Sequence, residues 1–388
     1  MNILVLCFEY PPIGGGGGIG AKQYAEAWAC KDHSVTVLTS WAPGLAFRET
    51  VNGVDIIRVS VVRRSDRATA TFLSMLSYII SGFIYVLFHL GEFRHTEVAN
   101  THFAIPTGPL GFLVSRVLRI PNVLTIIGGD IYDPSKKSSP HRSAVLRLIN
   151  TLLMNRADSV VAISSETKRR AGEYYNVRKE IRVINYGFVP VELPQRKGLY
   201  LQDEDGIYYL IAVGRLIERK GFEYLIESLK LLPARIRLVI IGDGPLESQL
   251  KDVVRRNDLT ERVILAGYRS RDEVYGYLRD ADCFVLSSLH EGLGIVVQEA
   301  MFAGLPIVCT DNGGQVDLVK NGRNGILIKP RDVTMLADAI LKFYDNRDFA
   351  SIVGWNNRED IGAYYIERNC EEYIDVLREA IKEFNECK

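Results

Sequence analysis

Two carboxylates bracket a glycine pair in the run Glu291-Gly292-Leu293-Gly294-Ile295-Val296-Val297-Gln298-Glu299-Ala300. Glu291 follows a strand-like stretch, and Glu299 falls on the helix expected next. A carboxylate accepts hydrogen bonds from paired hydroxyls, such as those of a ribose or a hexose. The glycines permit close backbone approach. The amides of Gly294, Ile295 and Val296 would point at a phosphate from a helix N-terminus. The plainer reading is two surface carboxylates, with Glu291 as a cap. Against it stands Gly214-Arg215-Leu216-Ile217-Glu218-Arg219-Lys220-Gly221. Arg215 and Lys220 lie there between a strand end and a helix start, where cations can clamp a pyrophosphate. Arg219 alone would read as a solvated basic turn. Gly242-Asp243-Gly244-Pro245 is a tight turn that opens a helix.

The first half carries a second candidate. Gly14, Gly15, Gly16, Gly17 and Gly18 are consecutive, followed by Ile19 and Gly20. This run separates the first strand from a helix, so its amides could approach an anion or a sugar. The alternative is a flexible turn. The run is not a Walker loop, because Ala21 follows Gly20. It also lacks the ribose-binding acid of a dinucleotide site, since the second strand ends Leu38-Thr39-Ser40. A nicotinamide dehydrogenase is therefore disfavoured. Asp203-Glu204-Asp205 matches a metal-binding acidic pair only as text and lies in the expected linker, so no metal site is expected.

These groups need a scaffold. Strand-like and helix-like runs alternate from end to end, which predicts parallel sheets with crossover helices. The strands of the first half are Ile3–Cys7, Val35–Thr39, Ile56–Val59, Val98–Thr101, Val123–Ile127, Ser159–Ile163 and Arg182–Ile184. A second unit begins at Tyr208–Val213 and continues through Leu238–Ile241, Val263–Leu265, Cys283–Leu286, Ile307–Cys309 and Gly325–Ile328. The motifs follow strands in both halves, so the halves are expected to face one another across a central cleft. Expected boundaries are a first Rossmann-like domain over 1–190, a linker over 191–206, a second domain over 207–363, and a C-terminal helix over 364–388 packing back on the first.

Composition narrows the partners. The chain has 388 residues, with 47 Lys plus Arg against 47 Asp plus Glu. That balance argues against nucleic acid. The six Cys lack zinc spacing and read as reduced thiols of the cytoplasm. The N-terminus reads as a buried strand with no basic leader. Phe72 to Leu90 is apolar and nearly long enough to span a bilayer. The favoured reading is a core helix buried all round. A helix lying on a membrane surface is the alternative, with Arg63, Arg64 and Arg67 as its basic flank and 63–90 as the contact.

In order and spacing the motifs resemble the retaining glycosyltransferases of family 4, also called group 1, with the GT-B fold. The resemblance covers essentially the whole chain. It is carried by the glycine loop, Gly214-Arg215 with Lys220-Gly221, Gly242–Pro245, Glu291 to Glu299, and Asp311-Asn312-Gly313-Gly314. It implies an α/β chain of two Rossmann-like domains, an acceptor side first and a donor side second. It implies that Arg215 and Lys220 hold the donor pyrophosphate, Glu299 the ribose and Glu291 the donor sugar. His102, in Asn100-Thr101-His102-Phe103, would lie near that sugar; its plainer reading is a buried or capping histidine. Thr125–Asp130 is similar to a THGxD-like segment, with Ile127 where His is common and Asp130 on the acceptor side. Asp317 stands where Glu is more usual. The implied reaction retains the α-linkage, needs no cofactor or metal, and uses the departing phosphate as base. The expected donor is a UDP-hexose, then GDP-mannose. The expected acceptor is a glycan or a lipid-linked sugar of cell-surface polysaccharide or glycolipid synthesis. An epimerase of the same shape, needing no acceptor, and a non-catalytic sugar-nucleotide binder are the alternatives.

Overall fold

The computed structural model describes residues 1–62, 71–193, 200–201 and 206–387. Arg63, Arg64, Arg67, Asp203, Glu204, Asp205 and part of the expected linker lie outside the described residues. The chain forms two compact units, Met1–Val189 with Tyr364–Lys388, and Pro190–Ala363.

Unit 1 begins with β1 (Asn2–Cys7), α1 (Gly16–Ala29), β2 (Ser34–Ser40), β3 (Arg48–Val51), β4 (Val54–Val59), α2 (Phe72–Phe88) and α3 (Leu90–Phe93). It continues with β5 (Val98–His102), α4 (Gly108–Leu118), β6 (Asn122–Ile126), α5 (Ala144–Arg156), β7 (Ser159–Ala162), α6 (Ser165–Tyr174) and β8 (Ile181–Val183). The sheet order is β3-β4-β2-β1-β5-β6-β7-β8. Among the described strands only β3 is antiparallel, paired to β4 across the Asn52-Gly53 turn. The sequence reading missed β3 because its four residues are all exposed and carry no apolar alternation. The central strand β1 is a near-continuous apolar run because helices cover both faces of the sheet, while its neighbour β5 buries Asn100, Thr101 and His102.

Unit 2 contains β9 (Tyr208–Val213), α7 (Phe222–Ser228), β10 (Ile236–Ile241), α8 (Glu247–Arg256), β11 (Val263–Gly267), α9 (Arg271–Asp280) and β12 (Cys283–Leu286). Then come α10 (Ile295–Ala303), β13 (Ile307–Thr310), α11 (Gln315–Leu318), β14 (Ile326–Ile328), α12 (Val333–Asp345) and α13 (Arg347–Asp360). Its sheet is β11-β10-β9-β12-β13-β14, parallel throughout. Renumbered from its own first strand, this is the doubly wound order of nucleotide-binding domains. The chain then returns to unit 1 as α14 (Ile366–Glu386). Tyr373 of α14 packs its ring 4.9 Å from Tyr24 and 5.4 Å from Trp28 of α1. Its hydroxyl also accepts a hydrogen bond from Asn100 Nδ2 of β5 at 2.9 Å.

Two local expectations are corrected. The glycine run is not a loop throughout: α1 starts at Gly16, so Gly16, Gly17 and Gly18 are helical and only Gly14 and Gly15 precede it. Glycine is required there because the helix starts against other chain segments. A Cβ on Gly18 would lie 2.4 Å from Glu9 O, and one on Gly20 would lie 2.5 Å from the Tyr186 ring. The second correction concerns α2, which is not buried all round. Ser74, Tyr78, Gly82 and Val86 are buried, while Ile80 is 53% exposed and Phe88 82% exposed. Only the stripe facing the sheet and α4 finds apolar partners; nothing among the described residues covers the rest. No described helix is long and apolar enough to cross a membrane.

Candidate functional site

In an open parallel sheet, the loops diverge where strand order reverses, leaving a crevice outside the carboxyl ends. In unit 2 that point lies between β9 and β12. The loop after β9 carries Arg215 and Lys220; the loop after β12 carries Glu291. The two loops are tied by hydrogen bonds to the backbone of the first. Leu289 N donates to Arg219 O at 2.7 Å, and Ser287 Oγ donates to Lys220 O at 3.0 Å. Gly221, at φ 59°, allows this approach, since a Cβ there would lie 2.4 Å from Ser287 O.

The loops bring Lys220 and Glu291 together inside the unit. Lys220 Nζ donates to Glu291 Oε1 at 2.6 Å, and Ser288 Oγ donates to the same oxygen at 2.7 Å. Both residues are buried. Burial alone would raise the Glu291 carboxyl, but the charges of Lys220 and Arg219 outweigh it and hold the group at about 2. Glu291 is therefore a carboxylate at neutral pH. An ammonium has three donors, so two remain for phosphate oxygens, and Glu291 Oε2 remains for a hydroxyl.

Around this pair, Gly314 N donates to Glu291 O at 2.9 Å, and Asn312 Nδ2 donates to Leu289 O at 2.8 Å. The Asp311–Gly314 segment thus fixes the backbone that carries Glu291. Gly294 caps α10 in the left-handed region, at φ 92° and ψ 61°, with no side-chain cap. The cap residue thus supplies no side-chain acceptor to the first-turn amides of Ile295 and Val296, which suits an anion. Gly292 is half-buried and Leu293 is buried, so Leu293 offers a ligand only its backbone.

Glu299 lies one turn farther along α10 and is buried. Burial raises its carboxyl to about 7, with Arg271 of α9 pulling the other way from 3.6 Å. Arg215 is exposed at the rim. Gly242, after β10, packs on the turn that bears Arg215, and a Cβ there would lie 2.0 Å from Gly214 O. A cavity of about 230 Å³ lies beside the same loop, lined by Ile217, Glu218, Phe222, Leu246 and Leu250. Neither Lys220 nor Glu291 lines it, so it is not where those groups would meet a ligand.

Unit 1 reverses its strand order between β1 and β5. The start of α1 follows β1, and His102 ends β5. Gly15 is the N-cap of α1 and has no side chain, so the cap residue itself supplies no acceptor to the amides of Gly16 and Gly17. His102 is fully buried, which lowers its imidazole to about 3 and keeps it neutral. Its Nδ1 lies 3.4 Å from the Tyr186 hydroxyl, and its Nε2 has no partner among the described residues. Asp130 accepts hydrogen bonds from Ala104 N at 2.7 Å and Ile127 N at 3.0 Å. It therefore ties the loop after β6 to the loop after β5, and burial raises it to about 6 against those backbone bonds.

Sequence reasoning missed three participants. Ser288 stands three residues before Glu291 in the same loop and was visible locally. Arg271 and Tyr186 come from elements remote in sequence and had no local signal.

The family model for glycosyl transferases group 1 matches residues 201–364, and that for the glycosyl transferase 4-like domain matches residues 15–187. An uncharacterized glycosyltransferase of Methanocaldococcus jannaschii is 26% identical over 98% of this chain and 99% of its own. Sucrose-phosphate synthase from Thermosynechococcus elongatus superposes with a TM-score of 0.87 at 21% identity, over 99% of this chain and 100% of that one. Anabaena HepE, in complex with UDP and glucose, superposes with a TM-score of 0.75 at 19% identity, over 98% of this chain and 100% of its own.

Proposed function

Because the chain belongs to the group 1 glycosyl transferases, with the GT-B fold, we propose that it moves a hexose from a nucleoside-diphosphate sugar to a glycan or lipid-linked acceptor, with retention of the α-linkage. Both family models describe transferases, which does not favour the epimerase or the non-catalytic alternative. The observation that carries the reading is the buried Lys220–Glu291 pair beside the uncapped start of α10. It sets cationic donors and a hydroxyl acceptor at the one point of the unit 2 sheet where a nucleotide is expected to lie.

In this reading the remaining donors of Lys220, with Arg215 and the Ile295 and Val296 amides, take the diphosphate. They oppose the charge that builds on the β-phosphate as the sugar leaves, without a metal. Glu299 takes the ribose and Glu291 the sugar hydroxyls. UDP-hexose is the first choice of donor, supported by the UDP and glucose bound to the Anabaena neighbour, and GDP-mannose is the second. His102, neutral and with an open Nε2, offers the donor sugar one hydrogen bond. Asp130 acts by holding the loop near the acceptor side. The work is cytoplasmic, in cell-surface polysaccharide or glycolipid synthesis, with peripheral contact with the membrane's inner face through 63–90.

A thermal-shift panel of nucleotide sugars tests the donor, since a ligand that binds the native state raises its melting point. UDP-glucose or a related UDP-hexose should raise it most, and its consumption should require an acceptor and survive excess EDTA. No shift with any nucleotide sugar, or turnover to an isomeric sugar without acceptor, would overturn the proposal.

A further inference from the structure

On one face of its sheet unit 1 carries α2, α4, α5 and α6; the outer surface of the first three combines apolar side chains and arginines, and none of those three contains an acid. Leu6 of β1 registers with Thr101 of β5, and Thr101 with Leu124 of β6, so these residues point to one face of the sheet. The core on that face takes in Tyr78 and Val86 of α2, Leu110 and Val114 of α4, and Met154 of α5. The helices touch in sequence. A Cβ on Gly82 of α2 would lie 2.8 Å from Leu110 of α4, and one on Gly108 of α4 would lie 2.9 Å from Leu153 of α5. Their outward faces therefore form one continuous surface.

That surface is apolar on every helix. On α2, Leu73, Leu76, Ile80, Ile84 and Leu87 are all more than 40% exposed and recur at three- and four-residue steps. On α5, Val145 is 66% exposed, Leu148 60% and Leu152 49%, at the same steps. Leu113 and Val117 of α4 lie between them in the layer. None of the three helices contains Asp or Glu, while the exposed Arg116, Arg147 and Arg156 lie on α4 and α5. The opposite face of the sheet carries α14, with seven acidic against three basic residues. A chain of zero net charge is thus polarised across unit 1.

We infer that the outer surface of α2, α4 and α5 docks on an anionic lipid bilayer, with its leucine and isoleucine side chains entering the interface and Arg116, Arg147 and Arg156 meeting acidic headgroups. Apolar exposure alone would fit a second protein copy equally well. The missing acids on α2, α4 and α5, the net positive α6 beside them (Lys168, Arg169 and Arg170 against Glu166 and Glu173), and the acidic α14 on the opposite face select an anionic sheet-like partner. The inference rests on the membrane contact proposed for 63–90 as far as α2 is concerned. It extends that contact to α4 and α5, names the lipid charge, and is independent of donor chemistry.

The test is co-sedimentation of the full chain with vesicles of phosphatidylcholine alone or mixed with phosphatidylglycerol. The wild type should pellet with the anionic vesicles, weaken with salt, and stay in solution with the neutral ones. Each arginine near the surface is worth roughly fivefold in binding. The triple variant Arg116→Gln, Arg147→Gln, Arg156→Gln should lose on the order of a hundredfold. Leu148→Ser with Leu152→Ser should lose binding at low salt as well. These side chains are exposed, so far-UV melting curves should match the wild type. Wild-type binding by both α4/α5 variants would overturn the three-helix surface and leave the α2 contact standing. No binding of the wild type to anionic vesicles would overturn both. Equal binding to neutral vesicles would refute the lipid charge. A dimer in solution, broken by the same substitutions, would assign the face to a second copy instead.

Discussion

Lys220 Nζ and Glu291 Oε1 meet at 2.6 Å in a buried ion pair that joins the loops after β9 and β12. One contact thus links the cation expected at phosphate with the carboxylate expected at sugar. Breaking a buried pair by removing one partner costs about 3–5 kcal/mol, because the other charge is left uncompensated.

Lys220→Met should therefore destabilise the protein as well as abolish transfer. The double variant Lys220→Met, Glu291→Leu should recover much of the stability and none of the transfer. Urea unfolding beside a donor-turnover assay reads both. Full activity in the double variant would remove the pair from the chemistry. The pH dependence has a definite sign. The Glu291 carboxyl sits at about 2 in the fold, below its ordinary value, so its stabilisation is full above the unfolded value of about 4.5 and is lost as pH falls toward 2.

Glu299 runs in the opposite direction. With its folded carboxyl raised to about 7, the fold binds a proton that the unfolded chain has released, so this group's contribution to stability falls between about pH 4.5 and 7. To accept from both ribose hydroxyls, it should be ionised. UDP-glucose affinity, measured by calorimetry, should therefore rise through pH 7, and Glu299→Gln should flatten that profile. Arg271→Ala removes the nearby positive charge and should move the midpoint upward. A profile unchanged in Glu299→Gln would separate this residue from the nucleotide.

His102 is buried and neutral, with its folded value near 3. A base lowered on folding is stabilising only where it is neutral in the unfolded chain too. Stability should fall as pH drops from about 6.5 toward 3, and His102→Phe should lose that part of the slope. His102→Phe should also cut turnover while leaving nucleotide affinity near the wild type. Melting temperature against pH, with nucleotide calorimetry at neutral pH, checks both halves.

Gly242→Ala should damage donor use without touching a side chain of the site. Gly242 sits at φ 138°, and the added Cβ would lie 2.0 Å from Gly214 O, a backbone atom that cannot rotate away. The turn that presents Arg215 must shift, and misplacing a binding group by about 1 Å can cost on the order of a hundredfold in rate. The readout is kcat/KM for the donor; a value within twofold of the wild type would show that the turn is not rigid.

The alternation of short apolar runs with helices was legible in the sequence because strands covered on both faces are largely apolar. Glycine, Arg215, Lys220, Glu291 and Glu299 were legible because their types and their places after strands are local facts. Ser288 was within the same reach. Tertiary structure alone decided the rest. Lys220 and Glu291 lie 71 residues apart, and only the β9–β12 adjacency makes them an ion pair. Arg271 beside Glu299 and Tyr186 beside His102 depend on contacts between remote elements in the same way. The exposure of α2 is the clearest case. Its composition reads as interior because it contains no charge, yet burial is a property of what packs around a helix, and one face of α2 meets the sheet and α4 while the other meets none of the described chain.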